Sequence, residues 1–350
     1  MDLLTIGYNK TIEKHCNEIN TDGFELGRII SEQKERYIVY TAHGECDAEI
    51  TGNMRFSAKG REDFPAVGDW VLLSLYDTNF AIIYSIIPRY SIIKRRSVGK
   101  KTDIQIIATN IDYAIIVQSA DRDFNLNRIE RYLAICNDPN ISPIIVITKI
   151  DLFTKAEITD LVESIHSRIH TIPVLLVSNT SGDGLNELKS TILKGKTYCF
   201  LGSSGVGKSS LINNLSENQI MKTDEISIST NKGRHVTTHR EIIIIANGGI
   251  LIDNPGMREV GMVDTNYAIE GSSDKITELS ELCTFSDCTH THEIGCAVLK
   301  AIETGEIELE AYNNYRKLQK EIDHFKQTKA EIRKKDKDFG KMLKNYKKNK

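Results

Sequence analysis

The chain has 350 residues, long for one compact core, so two or three domains are expected. Its 40% hydrophobic and 27% charged content is ordinary for a soluble globular protein, and its longest apolar runs, such as Ile242–Ala246, fall far short of the roughly 20 residues that cross a bilayer. No basic start leads into an apolar run, so neither a membrane span nor a signal peptide is expected, and the cytoplasm is the expected compartment. The net charge of −3 is unevenly spread: residues 313–350 carry fourteen Lys and Arg against five Asp and Glu. A basic tail on an acidic body fits a polyanionic partner, and equally a solvated lysine-rich helix.

Residues 1–22 read as a short helical lead-in. From Phe24 to Ile93, five β-rich runs (Gly27–Ile30, Tyr37–Thr41, Cys46–Ile50, Trp70–Leu75, Ala81–Ile87) are separated by turn residues. Short strands at this spacing predict an OB-type β-barrel over residues 23–97. Such barrels bind RNA through a strand face and adjoining loops, which makes Arg28, Arg55, Lys59 and Arg61 candidate contacts, each of them also readable as a solvated surface charge. A basic connector follows, Lys94-Arg95-Arg96 and then Lys100-Lys101.

Over residues 98–265 the pattern changes. Continuous apolar strands (Tyr113–Val117, Ile144–Ile147, Val174–Val177, Tyr198–Leu201, Ile242–Ala246, Ile250–Ile252) alternate with helical stretches such as Leu126–Cys136. Strands buried on both faces read this way in a doubly wound α/β sheet. Residues 266–350 become helical and charged around a Cys/His cluster, predicting a third, mainly helical domain with a basic tail.

The nucleotide motifs occur in a rotated order. Thr148-Lys149-Ile150-Asp151 comes first, after an apolar strand; a carboxylate there accepts from the guanine N1–H and N2 amine and rejects adenine. Ser178, at the end of the next strand, starts a second base-side loop. Only then does Gly202-Ser203-Ser204-Gly205-Val206-Gly207-Lys208-Ser209-Ser210 follow, between a strand and a helix, the context a phosphate loop requires. Its glycines let N–H groups turn onto phosphate, Lys208 reaches the β- and γ-phosphates, and the Ser209 hydroxyl ligates Mg²⁺. Asp253 closes a later strand as the candidate Mg²⁺-side aspartate, with the Gly256 N–H facing the γ-phosphate. Between them Lys232-Gly233-Arg234-His235-Val236-Thr237-Thr238 offers a threonine ligand for Mg²⁺, with spacing alone undecided between Thr237 and Thr238. A guanine reader ahead of a phosphate loop predicts a circularly permuted P-loop GTPase.

Four of the seven cysteines (Cys16, Cys46, Cys136, Cys199) are scattered, which argues against a disulfide framework. Cys283, Cys288 and Cys296 enclose His290, and three thiolates with one imidazole form a closed set suited to structural Zn²⁺. His292 and His324 are read as non-ligands.

Together Asn110-x-Asp112, Asp123-Phe124-Asn125-Leu126, the motifs above and Cys283-x4-Cys288-x-His290-x5-Cys296 resemble, in this order, the small-subunit-dependent GTPase A (RsgA/YjeQ) family over nearly the whole chain. The resemblance implies an N-terminal OB domain, a permuted GTPase domain and a C-terminal zinc domain. It also implies GTP hydrolysis stimulated by the 30S ribosomal subunit in late maturation of that subunit, with 16S rRNA contacts and a monomeric protein. By alignment Thr237 is the Mg²⁺ ligand. Three positions depart from the family pattern: Val236 replaces a threonine, Asn254 replaces the threonine of Asp-Thr-Pro-Gly, and Asn179 stands where Ser-Ala is usual, which weakens the base-side assignment. Met257 occupies the place where Ras-like enzymes carry a water-orienting glutamine, so His235, matching the family pattern, is the candidate catalytic residue. A different class, an RNA-binding nucleotide switch with little turnover, remains the alternative; an ATPase or kinase is disfavoured by Asp151. The order of motifs also predicts that nucleotide state passes from Thr237 and Asp253 to the Cys/His domain that follows them.

Overall fold

The computed structural model describes residues 2–19, 21–33, 36–77, 79–96, 104–121, 124–136, 138–216, 241–253 and 274–326. A short 3-10 turn and α1 (Lys10–Asn17) lead into β1 (Glu25–Gln33), β2 (Arg36–Thr41), β3 (Gly44–Ile50), α2 (Gly52–Ser57), β4 (Trp70–Leu75) and β5 (Phe80–Ile86). The five strands pair in the order β1-β2-β3-β5-β4, and β4 returns to β1 (Gly27 opposite Val71), closing a barrel. Closure removes the open edges that short strands would otherwise expose. Its interior is filled by Ile29, Tyr37, Val39, Ala48, Val71, Leu73, Ala81 and Ile83, from alternating positions along each strand.

The first part of the basic connector, Lys94-Arg95-Arg96, belongs to a strand. β6 (Ile92–Arg96) pairs antiparallel with β7 (Ile104–Thr109). Lys94 bonds Glu62 at 3.0 Å and the Arg95 Nε donates to Gln105 at 3.1 Å, while Ile93 is fully buried. Three cations in a row hide a strand whose apolar residues are only two.

The α/β part follows as β8 (Tyr113–Ser119), α3 (Leu126–Ile135), β9 (Ser142–Thr148), α4 (Lys155–His166), β10 (Val174–Leu176), α5 (Leu185–Thr191), β11 (Thr197–Leu201), α6 (Lys208–Ser216), β12 (Glu241–Ile244) and β13 (Ile250–Asp253). Its sheet order is β10-β9-β8-β11-β13-β12, parallel except for β12, and β12 meets β1 of the barrel at Ser31 opposite Glu241. β8 and β11 are buried along nearly their whole length, as strands covered on both faces must be. Local capping fixes the helix starts: the Asn125 side chain accepts from Arg128 N, and Thr154 and Glu157 form a reciprocal box at α4. The C-terminal part contains α7 (Asp274–Ser280), α8 (Ala297–Glu303) and α9 (Leu309–Lys326) around a small core of Ile276, Val298, Ala301, Ile307 and Ala311. Among the described residues no helix is long and apolar enough to cross a membrane.

Arg28, expected as a candidate RNA contact, is only 1% exposed and cannot be one. Its Nε donates to Gly68 O at 3.2 Å, Nη1 to Ile6 O, and Nη2 to Asn110 O at 3.0 Å and Thr197 Oγ1 at 3.1 Å. Its guanidinium lies 5.6 Å from the centre of the Trp70 ring. One planar fork therefore ties the N-terminal lead-in, the barrel, the turn between β7 and β8, and β11 of the α/β sheet. Burial lowers its pKa from the ordinary value, with Tyr90, Asp112 and Asp69 pulling it back up; a guanidinium stays charged there. Gly68, at φ +98°, has no room for a side chain: a Cβ would sit 2.2 Å from Thr109 O. Arg28→Met removes four buried hydrogen bonds, of which, among the described residues, only those to Gly68 O and Asn110 O have a second donor, from Asn110 Nδ2 and Tyr90 OH, and is expected to cost about 3 kcal/mol or more in urea unfolding. Arg28→Lys, whose ammonium cannot span the same acceptors, is expected to recover only part of that loss.

Candidate nucleotide site and metal cluster

The candidate nucleotide residues leave the carboxyl ends of β9, β10, β11 and β13, the edge where open parallel sheets bind ligands. Gly202 turns sharply at φ +152°, where a Cβ would lie 2.4 Å from Val117 O, and Gly205 and Gly207 adopt φ +86° and +93°. Such left-handed steps let successive N–H groups face inward. Lys208 is 5% exposed and donates to Gly202 O at 2.8 Å and Ser203 O at 2.7 Å, which holds its ammonium across the loop. Burial pushes its pKa down to about 8, and the charge of nearby Asp253 opposes that shift. Ser203, Ser209 and Asp253 are buried at the same edge, and Ser204 and Ser210 belong to the loop and the first turn of α6.

On the base side, Lys149 sits at φ +61° and its ammonium meets Asp121 Oδ2 at 2.9 Å, while Ser119 Oγ donates to Asp121 Oδ1 at 2.8 Å. That carboxylate holds the lysine stem beside the strand end. Asp151 Oδ1 accepts from Ser178 Oγ at 2.6 Å, and that hydroxyl in turn accepts from the Thr180 and Ser181 amides. Ser178 thus orients the carboxylate through its side chain. Thr148 Oγ1 donates to Val206 O at 2.6 Å, so the first base-side residue touches the phosphate loop directly. His235, Thr237 and Gly256 lie outside the described residues. Asp121 is a candidate site residue that motif reading missed, its only signal being its place two residues beyond the strand that pairs with β9, while Asn179 was read only as a departure in the second base-side loop.

A family model described as RsgA GTPase matches residues 86–263, and one described as 50S ribosome-binding GTPase matches 197–348. Two proteins named "Small ribosomal subunit biogenesis GTPase" are similar over most of this chain. RsgA 1 of Bacteroides thetaiotaomicron is 40% identical over 93% of this chain and 90% of its own length, and RsgA 2 of Lactiplantibacillus plantarum is 41% identical over 93% and 91%. The chain belongs to the RsgA GTPase family. Two solved structures share its fold at 25% identity: YjeQ from Thermotoga maritima, covering 85% of this chain and 98% of that one with a TM-score of 0.63, and YloQ, described as a circularly permuted GTPase, covering 88% and 98% with a TM-score of 0.61. The permuted order read from the motifs is the order in which this GTPase presents β9, β11 and β13.

The Cys/His cluster of this RsgA-family chain fits a tetrahedral metal. Ligand atoms of Cys283, Cys288, His290 and Cys296 all lie within 4.8 Å of one another. Cys283 Sγ is 3.5 Å from His290 Nδ1 and 3.9 Å from Cys296 Sγ, and His290 Nδ1 is 3.4 Å from Cys296 Sγ. Metal–ligand bonds of about 2.3 Å to sulfur and about 2.0 Å to nitrogen at tetrahedral angles give edges of about 3.5–3.8 Å, which these distances match. His290 holds φ +55°, and Tyr312 of α9 donates to its carbonyl at 2.6 Å. Burial lowers the His290 pKa and favours the neutral imidazole a metal needs.

The cluster domain docks on the base-reading half. Glu130 of α3 and Arg168, just past α4, form a buried pair at 2.7 Å, and Asn314 of α9 donates to Glu130. Arg168 also donates to Asn127 at 2.8 Å, whose amide reaches Glu310 at 3.1 Å. The expected route to this domain from Thr237 and Asp253 involves segments outside the described residues; among the described residues the domain also meets α3 and Arg168.

Because Asp121 works on Lys149 at a partly open surface, Asp121→Ala is expected to weaken GDP binding about three- to tenfold. Titration with a fluorescent GDP analogue reads this, and the same variant should leave the melting temperature nearly unchanged.

Proposed function

We propose that this chain hydrolyses GTP under stimulation by the small ribosomal subunit and acts in maturation of that subunit. The observation that carries it is the convergence of Asp151, Ser178 and Lys149 with the 202–209 loop at one sheet edge, in a chain whose relatives carry small-subunit biogenesis in their names. Asp151 accepts the two guanine donors, Lys149 packs along the base, and Lys208 neutralises the β- and γ-phosphates. Ser209 and Thr237, with Asp253, would hold a Mg²⁺ ion, which would supply charge neutralisation at the transferring phosphate. His235 orients the attacking water in place of a glutamine. The proposed division is a lead-in over 1–22, an OB domain over 23–97, the permuted GTPase domain over 98–265 and a zinc domain over 266–350. The closed order β1-β2-β3-β5-β4 with β3 and β5 parallel supports the OB assignment. Exposed Arg55, Lys59 and Arg61 and the basic tail are suited to 16S rRNA phosphates. The protein is read as a cytoplasmic monomer.

GTP turnover measured alone, with 30S subunits and with 50S subunits tests this reading. A rise with 30S only is expected; a flat rate would leave the RNA-binding switch as the better account. His235→Ala is expected to keep GTP affinity and lose the stimulated rate. Chelation of the protein is expected to release one Zn²⁺ per chain and to expose residues 274–326 to protease, because the small core there closes around Cys296. Metal analysis finding less than about half an equivalent of zinc in protein purified without chelator would contradict the cluster's assignment.

A further inference from the structure

The base-side loop carries Asn179 directly after the Ser178 that orients Asp151. The geometry points to Asn179 as a positioning residue for the phosphate loop, a side chain on the base-reading half that fixes a phosphate-binding peptide. Its Nδ2 donates to Gly207 O at 3.2 Å. Its Oδ1 and its main-chain oxygen accept from Asn214 Nδ2 of α6, at 3.1 and 3.3 Å. A carbonyl oxygen cannot donate, so the atom facing Gly207 O is the amide nitrogen, and the Asn214 contact is consistent with that orientation.

The carbonyl and N–H of one trans peptide point in opposite directions. Holding the Gly207 carbonyl outward therefore aims the Lys208 N–H into the loop. Thr148 does the same one peptide earlier, since its hydroxyl on Val206 O aims the Gly207 N–H inward. Gly207 O also accepts the first bond of α6, from Leu211 N at 2.9 Å. Asn179 adds a second donor to that carbonyl and restricts the peptide's tilt. The amide also fills the space beside the glycine: a Cβ at Gly207 would lie 2.8 Å from Asn179 Nδ2. An alanine at 179 has neither the donor nor the volume. The substitution that departs from the usual pattern thus gives this chain a tie between its two half-sites.

A base-side residue acting this way should affect phosphates and leave the base alone. The inference rests on the reading of this edge as a guanine nucleotide site, and the test separates the two. Dissociation constants for GDP and IDP with Mg²⁺ are measured for the full chain and for Asn179→Ala, Asn179→Asp and Asn214→Ala. Inosine lacks the 2-amino group, so the GDP-to-IDP ratio reports on the base pocket. Asn179→Ala should weaken both nucleotides about three- to tenfold with the ratio unchanged and melting without nucleotide within about 2 °C. Asn179→Asp should be weaker still, because a carboxylate cannot donate to Gly207 O and adds negative charge beside the phosphates. Asn214→Ala, which removes the partner that holds the amide, should show a smaller loss in the same direction. Unchanged affinity in Asn179→Ala, or a loss accompanied by a changed ratio, would overturn the positioning role. A wild-type chain that bound neither GDP nor IDP would instead remove the nucleotide reading beneath it.

Discussion

The two halves of this GTPase meet along one short parallel pairing, Tyr113–Ile116 of β8 against Tyr198–Leu201 of β11, and both the fold and the site depend on that seam. In the permuted order the base reader is finished before the phosphate loop begins, so no short loop links them and the sheet must hold them in register. The foot of the seam is closely bonded. Asp112 Oδ2 accepts from Thr197 N at 2.8 Å, its Oδ1 meets Lys196 at 2.7 Å, and Tyr113 stacks on Tyr198 with centroids 4.8 Å apart. Arg28 sits at the same foot, bonding Asn110 and Thr197 from opposite sides of it. The Asn110-x-Asp112 motif is therefore a joint between barrel and sheet, with Asn110 at φ +52° donating to Gly68 O. A buried cation shared among carbonyls is costly to disrupt, which makes this joint rigid in a way that an exposed ion pair would not be.

At the head of the seam the ties run between the half-sites themselves. Thr148 and Asn179 bond the carbonyls of Val206 and Gly207, so the inward face of the phosphate loop is set by residues that also carry the base reader. Behind the base reader, Glu130 in the middle of α3 pairs with Arg168 just past the end of α4, and α9 of the Cys/His domain closes on that pair. The same two helices start beside Asp121 and Asp151. The Cys/His domain is thus physically continuous with the base-reading half, a layout that motif order alone did not suggest.

Much of the fold was legible because it is written in contiguous runs. The barrel and sheet strands are apolar stretches bounded by turns, and the phosphate loop and Cys/His spacing are local patterns. What stayed hidden depends on partners distant in sequence. Arg28 in Gly27-Arg28-Ile29 looks like an outward-facing charge on a strand, and only Ile6, Asn110 and Thr197 reveal that it points into the joint. β6 was masked by Lys94-Arg95-Arg96, of which Lys94 finds Glu62 and Arg95 finds Gln105 on neighbouring elements. Asp121 and Asn179 enter the site through strand register and loop packing, which no motif encodes, and Asn179 read as a weakness where the structure makes it a tie.

The central claim is that base-reading and phosphate-binding segments from opposite sides of the seam act as one site. Hydrogen exchange of the full chain with and without GDP and Mg²⁺ tests it most directly. The account predicts that residues 148–152, 177–181 and 202–210 slow together when nucleotide is added. Protection confined to 202–210, with the two base-side segments unchanged, would contradict it.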